Sequence, residues 1–239
     1  MTETQLDHAF TPVKLPCGRE TQNRLVKVWF NTQENGEPTH TQPPCVSFLQ
    51  AAMYEHAANF RGGPPNAAHM EMYRNWGRGR WGLVITGNVQ VDKSHLTIGR
   101  DMVTPDVLNE TTLQPFKDLA EAIHGGSDRV ADSPHRTLAI MQLSHSGRQA
   151  SNWVSGRLPW NPLLAPSPVR IGAREPGFFP QLFYRFLFST PREMTIPEID
   201  HLVERFVLSA KVAHEAGFEG VEIHAGHGCT CTHRNELVR

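Results

Sequence analysis

Two histidines three residues apart, His224 and His227, lie at the end of the apolar segment 220–224. Imidazole N–H groups placed together can donate hydrogen bonds to an oxygen that gains negative charge during a reaction. The same residue types also occur as solvated or structural histidines. Their spacing therefore permits an oxyanion-stabilising site but does not identify one.

Polar residues also mark the ends of two earlier apolar segments. Gly87 and Asn88 follow the segment 82–86, and Gln142 lies near the end of the segment 137–143. A glutamine amide can both donate and accept hydrogen bonds, and a glycine has no side chain to occupy the space beside the backbone. A plain turn at 87–88 and a satisfied buried amide at 142 are the structural alternatives.

The elements that position these residues follow from periodicity. The apolar segments indicate strands buried on both faces, and helical spacing between them predicts helices near 67–78, 113–123 and 195–217. The last helix begins with the capping box Thr195–Glu198 and is expected to bury one apolar face, formed by Ile199, Leu202, Val203, Phe206, Val207, Ala210 and Ala213. Before them, residues 10–22 suggest a hairpin around Cys17-Gly18 and residues 23–28 a first strand.

Strands that alternate with helices predict a parallel sheet, either doubly wound or closed as a (β/α)8 barrel. No G-x-G-x-x-G sequence follows a strand, so the dinucleotide site of a doubly wound sheet has no candidate. Polar residues at the carboxyl ends of strands are typical of the catalytic rim of a barrel. We therefore expect an α/β fold, an incomplete (β/α)8 TIM barrel of about four strands preceded by the hairpin.

Four motifs carry a specific resemblance. They are ITGNVQV (85–91), MQLSHSGRQ (141–149), STPREMT (189–195) and GFEGVEIHAGHG (217–228). Together they resemble the old yellow enzyme family, FMN-dependent NADH:flavin oxidoreductases built on a TIM barrel. The resemblance implies that residues 1–228 are the N-terminal part of such a barrel.

The resemblance also implies roles. Hydride passes from NADH or NADPH through FMN to an activated alkene, a small-molecule substrate. His224 and His227 would bind the substrate carbonyl, and the FMN contacts would come from Ala52, Met53, Tyr54, Gly87, Asn88, Gln142 and His224. Tyr54 stands where relatives commonly have Thr or Cys.

The chain departs from the family pattern in two places. Residues 29–51 interrupt the first strand with polar, Pro-containing sequence, which suggests a retained intron or, alternatively, a surface excursion. Residues 229–239 form a tail unlike the family, in which Cys229 replaces the tyrosine that usually protonates the substrate. With strands five to eight missing, we expect a truncated, inactive chain that self-associates through open sheet edges.

Composition limits the other function classes. The 23 basic and 24 acidic residues leave no cluster for nucleic acid or a membrane surface, and four irregular cysteines indicate a reducing, cytoplasmic location. We expect no metal site, because His227, Cys229, Cys231 and His233 lack closed zinc spacing.

The rival functions are a non-catalytic fragment that binds a partner and a different TIM-barrel enzyme, for which only Glu222 offers a strand-end carboxylate. Arg148, after Gly147, could hold a phosphate or be a solvated loop residue.

Overall fold

The computed structural model describes residues 9–27, 55–97, 99–125, 136–158, 160–172, 177–226 and 229–230. Strands and helices alternate along this part of the chain, as predicted. In chain order they are β1 (Val13–Lys14), β2 (Glu20–Thr21), β3 (Val26–Lys27), α1 (Ala67–Gly77), β4 (Leu83–Gln90), β5 (Met102–Val103), α2 (Glu110–Ile123), β6 (Leu138–Ser144), β7 (Leu164–Ala165), α3 (Phe178–Leu187), β8 (Arg192–Glu193), α4 (Ile196–Glu215) and β9 (Gly220–Ile223).

The predicted hairpin and parallel sheet are both confirmed. β1 and β2 pair antiparallel, and Gly18 in the connecting turn has a φ of +84°, a conformation that glycine adopts without strain. The main sheet has the order β3-β4-β6-β9, with β5 also beside β4, and every pair in it is parallel. Parallel strands end at the same edge, so the carboxyl ends of β4, β6 and β9 lie together.

The core lies between this sheet and α1, α2 and α4. α2 begins at the N-cap Asn109, whose side chain accepts the N–H of Thr112, and it buries one apolar face that includes Leu113 and Phe116. The largest fully buried side chains in the cluster include Tyr73, Phe116, Leu119, Ile123, Met141 and Leu143. These contacts fix the helices against the sheet and so set the positions of the strand ends.

β4 is longer than predicted. The expected strand stopped at Thr86, with Gly87 and Asn88 just after its end, but the observed strand continues to Gln90. The register against β6 shifts between Ile85 and Asn88, so this stretch is an irregularity within the strand and the alternative of a plain turn is wrong. Gly87 and Asn88 therefore lie inside the sheet.

The apolar face predicted for α4 is only partly buried. Leu202 and Ala213 pack in the core, whereas Ile199, Val203 and Val207 are 41–55% exposed. The helix packs against α2, β6 and β9, and the described residues leave these three side chains largely exposed. The periodicity identified the helix correctly but overestimated how much of it is buried.

The segment between β6 and α4 contains elements that the sequence periodicity did not predict. It contains β7 and β8, which pair parallel, and α3 between them. α3 buries none of its residues fully, although it is rich in aromatic side chains. Among the described residues no helix is both long and apolar enough to cross a membrane.

Candidate active site

Two predicted flavin contacts, and the carboxylate considered for a different TIM-barrel enzyme, lie side by side on neighbouring strands. Asn88 of β4 is in register with Gln142 of β6, and Gln142 is in register with Glu222 of β9. The Gln142 side chain is fully buried and its Nε2 donates to Glu222 Oε1 at 2.8 Å. The sheet therefore places two amides and a carboxylate in one row.

Two acceptor atoms in this row are unsatisfied. Gln142 Oε1 and Asn88 Oδ1 are buried and have no hydrogen-bond partner among the described residues. Buried polar atoms normally have partners, because an unsatisfied one costs free energy. A bound ring that carries N–H donors would satisfy them, so the amides predicted to contact a flavin fit that role.

Thr86 holds the irregular part of β4 in place. Its Oγ1 accepts the backbone N–H of Gln142 at 3.0 Å and donates to the carbonyl of Gly87 at 2.8 Å. A hydrogen bond to the Thr86 side chain thus replaces a regular backbone hydrogen bond between the two strands where the register shifts. This bond fixes the backbone of Gln142 relative to Gly87.

A carboxyl group that sequence reasoning missed lies against Gly87. The backbone N–H of Gly87 donates to Glu55 Oε1 at 2.9 Å and to the Tyr73 hydroxyl at 2.7 Å, and that hydroxyl donates to Glu55. A Cβ at position 87 would lie 2.2 Å from Glu55 Oε2. We expected Gly87 to make room for a flavin, but the observed space beside it is occupied by this carboxyl group.

The Glu55 carboxyl group has an unusual environment. Burial raises its pKa from 4.5 to about 7, although hydrogen bonds from Tyr73 and Gly87 act in the opposite direction. Burial and the neighbouring Glu55 together raise the pKa of Tyr73 well above 10. The only sequence signal was a single glutamate, whose role periodicity could not predict.

His224 is the one predicted catalytic residue that the structure describes. It is buried, and its backbone N–H donates to the carbonyl of Leu143 at 2.8 Å, which extends the β6–β9 pairing by one residue. The other site residues of the resemblance, His227, Ala52, Met53 and Tyr54, lie outside the described residues. Their roles stay predictions, as does the interpretation of 29–51.

The first two residues of the tail are packed into the protein. Cys229 is 1% exposed, and its Sγ lies 3.8 Å from both Ser144 Oγ and Gln149 Oε1. The backbone N–H of Thr230 donates to the carbonyl of His145 at 3.0 Å. The thiol is therefore held beneath the end of β6; the rest of the tail lies outside the described residues.

A second cluster missed from sequence joins Asp92, His95 and His145, whose potential ligand atoms lie within 4.8 Å of one another. The backbone N–H of Leu164 donates to His95 Nε2 at 3.2 Å, which assigns the hydrogen of a neutral ring to Nδ1, 3.2 Å from Asp92 Oδ2. The cluster is thus a hydrogen-bonded link between the ends of β4, β6 and β7. The sequence signal was the D-x-x-H spacing just after a strand.

Electrostatics support this description of the cluster. Burial would raise the pKa of Asp92, but hydrogen bonds from His145 and His95 outweigh it and lower the pKa. Burial lowers the pKa of His145 to about 4, against the opposing effect of Asp92. An ionised Asp92 therefore accepts hydrogen bonds from histidine at neutral pH, with His145 uncharged.

Comparison with known proteins places the chain in a family. Residues 47–231 match the model of the NADH:flavin oxidoreductase / NADH oxidase family, whose cofactors are FMN and NADH. The chain is 32% identical over 222 residues to the NADH-dependent flavin oxidoreductase iliE of Neonectria sp., covering 92% of this chain and 24% of that protein. It is 31% identical to the protein of the same name from Hypocrea jecorina, covering 92% of this chain and 47% of that one.

Solved structures share the fold. Morphinone reductase superposes with a TM-score of 0.63 at 19% identity, covering 93% of this chain and 49% of that chain. The old yellow enzyme homologue of Zymomonas mobilis superposes with a TM-score of 0.62 at 19% identity, covering 95% and 54%. The chain thus spans about half the length of these structures, and its parallel sheet and helices match the TIM-barrel fold of its old yellow enzyme neighbours. By the family match, the chain is a member of the NADH:flavin oxidoreductase / NADH oxidase family.

Proposed function

We propose that this chain contributes the flavin-ring part of the active site of an old yellow enzyme-type oxidoreductase. The reaction is hydride transfer from NADH or NADPH, through FMN, to an activated alkene. The observation that carries the proposal is the pair of buried, unsatisfied amide oxygens of Gln142 and Asn88 at the carboxyl edge of the sheet. They occur in a member of a family that uses FMN and NADH.

Gln142 and Asn88 are the residues that would hold the ring. Because Gln142 Nε2 is already engaged by Glu222, its oxygen is left as the free acceptor, and Asn88 Oδ1 offers a second one on the next strand. Both acceptors suit the N–H on the pyrimidine edge of a flavin. FMN, when bound, supplies the hydride chemistry, and the protein orients and polarises the reactants.

His224 and His227 would donate hydrogen bonds to the substrate carbonyl. Donors of this kind, aimed at an oxygen that becomes negatively charged, contribute about 2.7–4 kcal/mol each to the stability of comparable transition states. The burial of His224 supports this role, since a hydrogen bond shielded from water is electrostatically stronger. Cys229, in contrast, is buried beneath Ser144 and would be a poor proton donor to the substrate.

This stretch of chain should hold FMN weakly and turn over slowly when it is alone. The candidate contacts among the described residues address only the ring edge, while the chain spans about half the length of the structures it resembles. The remaining contacts to the cofactor would then come from the part of the fold that this chain does not span.

The test is a fluorescence titration of FMN with the purified chain. Gln142→Leu removes one buried acceptor and should weaken FMN binding roughly tenfold, because the loss of a hydrogen bond of about 1.4 kcal/mol changes an affinity by that factor. Gln114→Leu, an equivalent change on the exposed surface of α2, should leave binding unchanged. Equal affinity in the parent and the Gln142 variant would refute the role of this amide.

A binding function without catalysis is the second candidate. Val221 and Ile223 of β9 are 39% and 55% exposed, and among the described residues β9 pairs with β6 alone. An apolar edge strand of this kind can pair with another chain. A chain that associates with a partner but binds no FMN at any concentration would favour this function over the first.

A further inference from the structure

α3 presents a stripe of large apolar side chains to solvent. None of its ten residues is fully buried. The exposed side chains are spaced three and four residues apart, which places them on one face of the helix. Each of them is 54–79% exposed: Phe178, Phe179, Leu182, Phe183 and Phe186.

Trp153 extends this stripe beyond the helix. Its ring packs on Phe186 with the centroids 5.3 Å apart, and its indole N–H donates to the carbonyl of Phe186 at 3.0 Å. The Trp153 side chain is itself largely exposed. We call these six side chains the aromatic surface. Soluble proteins seldom expose a contiguous apolar patch of this kind unless it binds something.

The opposite face of α3 is fixed to the protein. Arg170 Nη2 donates to Gln181 Oε1 at 2.6 Å. Gly172, with a φ of +68°, packs so closely on Tyr184 that a Cβ would lie 2.3 Å from the ring. The helix therefore lies flat on the protein, with its polar side held and its aromatic side turned outward.

The segment that carries Arg170 is held from behind. Arg148 is buried, and its guanidinium group donates to the carbonyl of Val169 at 2.8 Å and to Ser167 Oγ at 3.0 Å. The sequence left Arg148 open between a phosphate ligand and a solvated residue; it is neither, because its contacts are to the protein. The aromatic surface thus rests on a firm support.

The charge around α3 is positive. Residues 145–192 contain six arginines and only one carboxylate, Glu175, whereas the whole chain has a net charge of −1. Arg192 is paired with Glu198. Arg185, exposed on α3, and Arg170 beside it pair with no carboxylate among the described residues. The balanced composition of the whole chain, which gave no sign of a membrane-binding cluster, conceals this local excess.

This charge favours one kind of occupant. A second copy of the chain would bring its own Arg170 and Arg185 toward those of the first, and like charges placed together disfavour association. An anionic surface is attracted instead. A flat helix with aromatic side chains on its outer face and arginines beside them is typical of helices that bind in the headgroup region of a bilayer.

We propose that the aromatic surface binds an anionic lipid membrane from one side. The phenylalanines and Trp153 would enter the boundary between headgroups and acyl chains, and Arg170 and Arg185 would lie among the negatively charged headgroups. The binding is peripheral, because α3 lies along the protein surface and not across a bilayer. It uses none of the proposed flavin contacts.

The experiment is flotation of the chain with lipid vesicles on a density gradient, in which aggregated protein sinks and bound protein rises. The probes are vesicles of phosphatidylcholine alone and vesicles in which part of this lipid is replaced by phosphatidylserine. The chain should float with the anionic vesicles and much less with the neutral ones. Added salt should weaken the binding, because it screens the attraction between the arginines and the lipid.

Two variants test the apolar and the charged contributions. Phe179→Ser should lower the partition coefficient roughly tenfold, since the apolar area of a phenylalanine no longer leaves water. Arg185→Gln should lower binding to the anionic vesicles about fivefold and leave binding to the neutral ones unchanged. Val107→Ser and Arg78→Gln are the matched controls, at exposed positions outside the aromatic surface. Circular dichroism verifies that all four variants fold.

The outcomes are decisive in either direction. The proposal is overturned if the chain floats with neither kind of vesicle, or if it floats equally well with both. It is also overturned if Phe179→Ser or Arg185→Gln binds the anionic vesicles like the parent, or if the controls lose as much binding as these variants. Absence of binding to any vesicle would make an acidic protein the better occupant of the aromatic surface. None of these outcomes depends on whether the chain binds FMN.

Discussion

The backbone N–H of Gly87 donates to the carboxyl group of Glu55 at 2.9 Å, and the same carboxyl group fills the space where a side chain at position 87 would lie. This contact joins the segment that precedes α1 to the irregular part of β4. It therefore lies one residue from Asn88, a candidate flavin contact. The carboxyl group of Glu55 leaves no room for a Cβ at position 87, so this arrangement requires a glycine there.

Replacing Gly87 by Ala should destabilise the protein. The added Cβ would lie 2.2 Å from Glu55 Oε2, and such overpacking costs about 1–3 kcal/mol. In a Glu55→Ala background the same change should cost much less, so the double-mutant cycle measures the contact. Gly63→Ala is the control, because a Cβ there would meet Asn59 at an ordinary 3.8 Å. Urea denaturation provides the free energies; equal costs of Gly87→Ala in both backgrounds would show that Glu55 is not the obstacle.

Glu55 should make stability depend on pH. Its pKa is raised to about 7 in the folded protein, so between 4.5 and 7 the folded state binds more protons than the unfolded state. The stabilising contribution is complete below pH 4.5 and is lost as the pH rises through 7. We expect the free energy of unfolding to fall by on the order of 1–3 kcal/mol between pH 5 and pH 8. Glu55→Gln should flatten this part of the curve; a variant that keeps the same slope would assign the dependence to another group.

The thiol of Cys229 should react slowly. Cys229 is buried and Cys17 is exposed, so chains that each keep only one of these cysteines should differ strongly in their rate of modification by a disulfide reagent. The slow reaction of Cys229 would support the expectation that it cannot protonate a substrate in place of tyrosine. Equal rates would mean that the first residues of the tail are not packed beneath Ser144, and the proton-donor role of Cys229 would be open again.

At a saturating concentration of FMN, His224→Ala should separate the two half-reactions. Removal of one donor to the developing oxyanion should slow alkene reduction about 10²-fold, whereas flavin reduction by the nicotinamide involves no alkene carbonyl and should change little. Binding of a phenol ligand should weaken in parallel. His201→Ala, on the exposed surface of α4, is the matched control. Stopped-flow absorbance measures both steps, and equal losses in both would contradict the assigned role.

Ile223→Lys should reduce self-association. Ile223 is 55% exposed on β9, and a lysine on an edge strand discourages pairing with another chain. Sedimentation velocity should show the parent chain in larger species and the variant shifted toward the monomer. Val107→Lys changes a residue away from β9 that is 64% exposed, and it should have no such effect. A parent chain that is already monomeric at high concentration would contradict the open-edge hypothesis.

The sequence by itself determined the elements and the family. Continuous apolar segments located β4, β6 and β9, and helical spacing located the helices beside them, because burial leaves a local signal in the sequence. Four motifs were enough to indicate the old yellow enzyme family, which the family match confirmed. Gln142 and Asn88 were identified as site residues for the same reason, since both occur in motifs next to strands.

Only the tertiary structure decided which groups meet. The contact of Glu55 with Gly87 spans 32 residues, and that of Gln142 with Glu222 spans 80, so no local pattern could predict either. The exposure of half the apolar face of α4 likewise depends on what packs beside the helix rather than on its periodicity. Contacts between distant segments depend on how the strands align in the sheet, and this alignment determines which polar atoms at the site stay unsatisfied and free for a ligand.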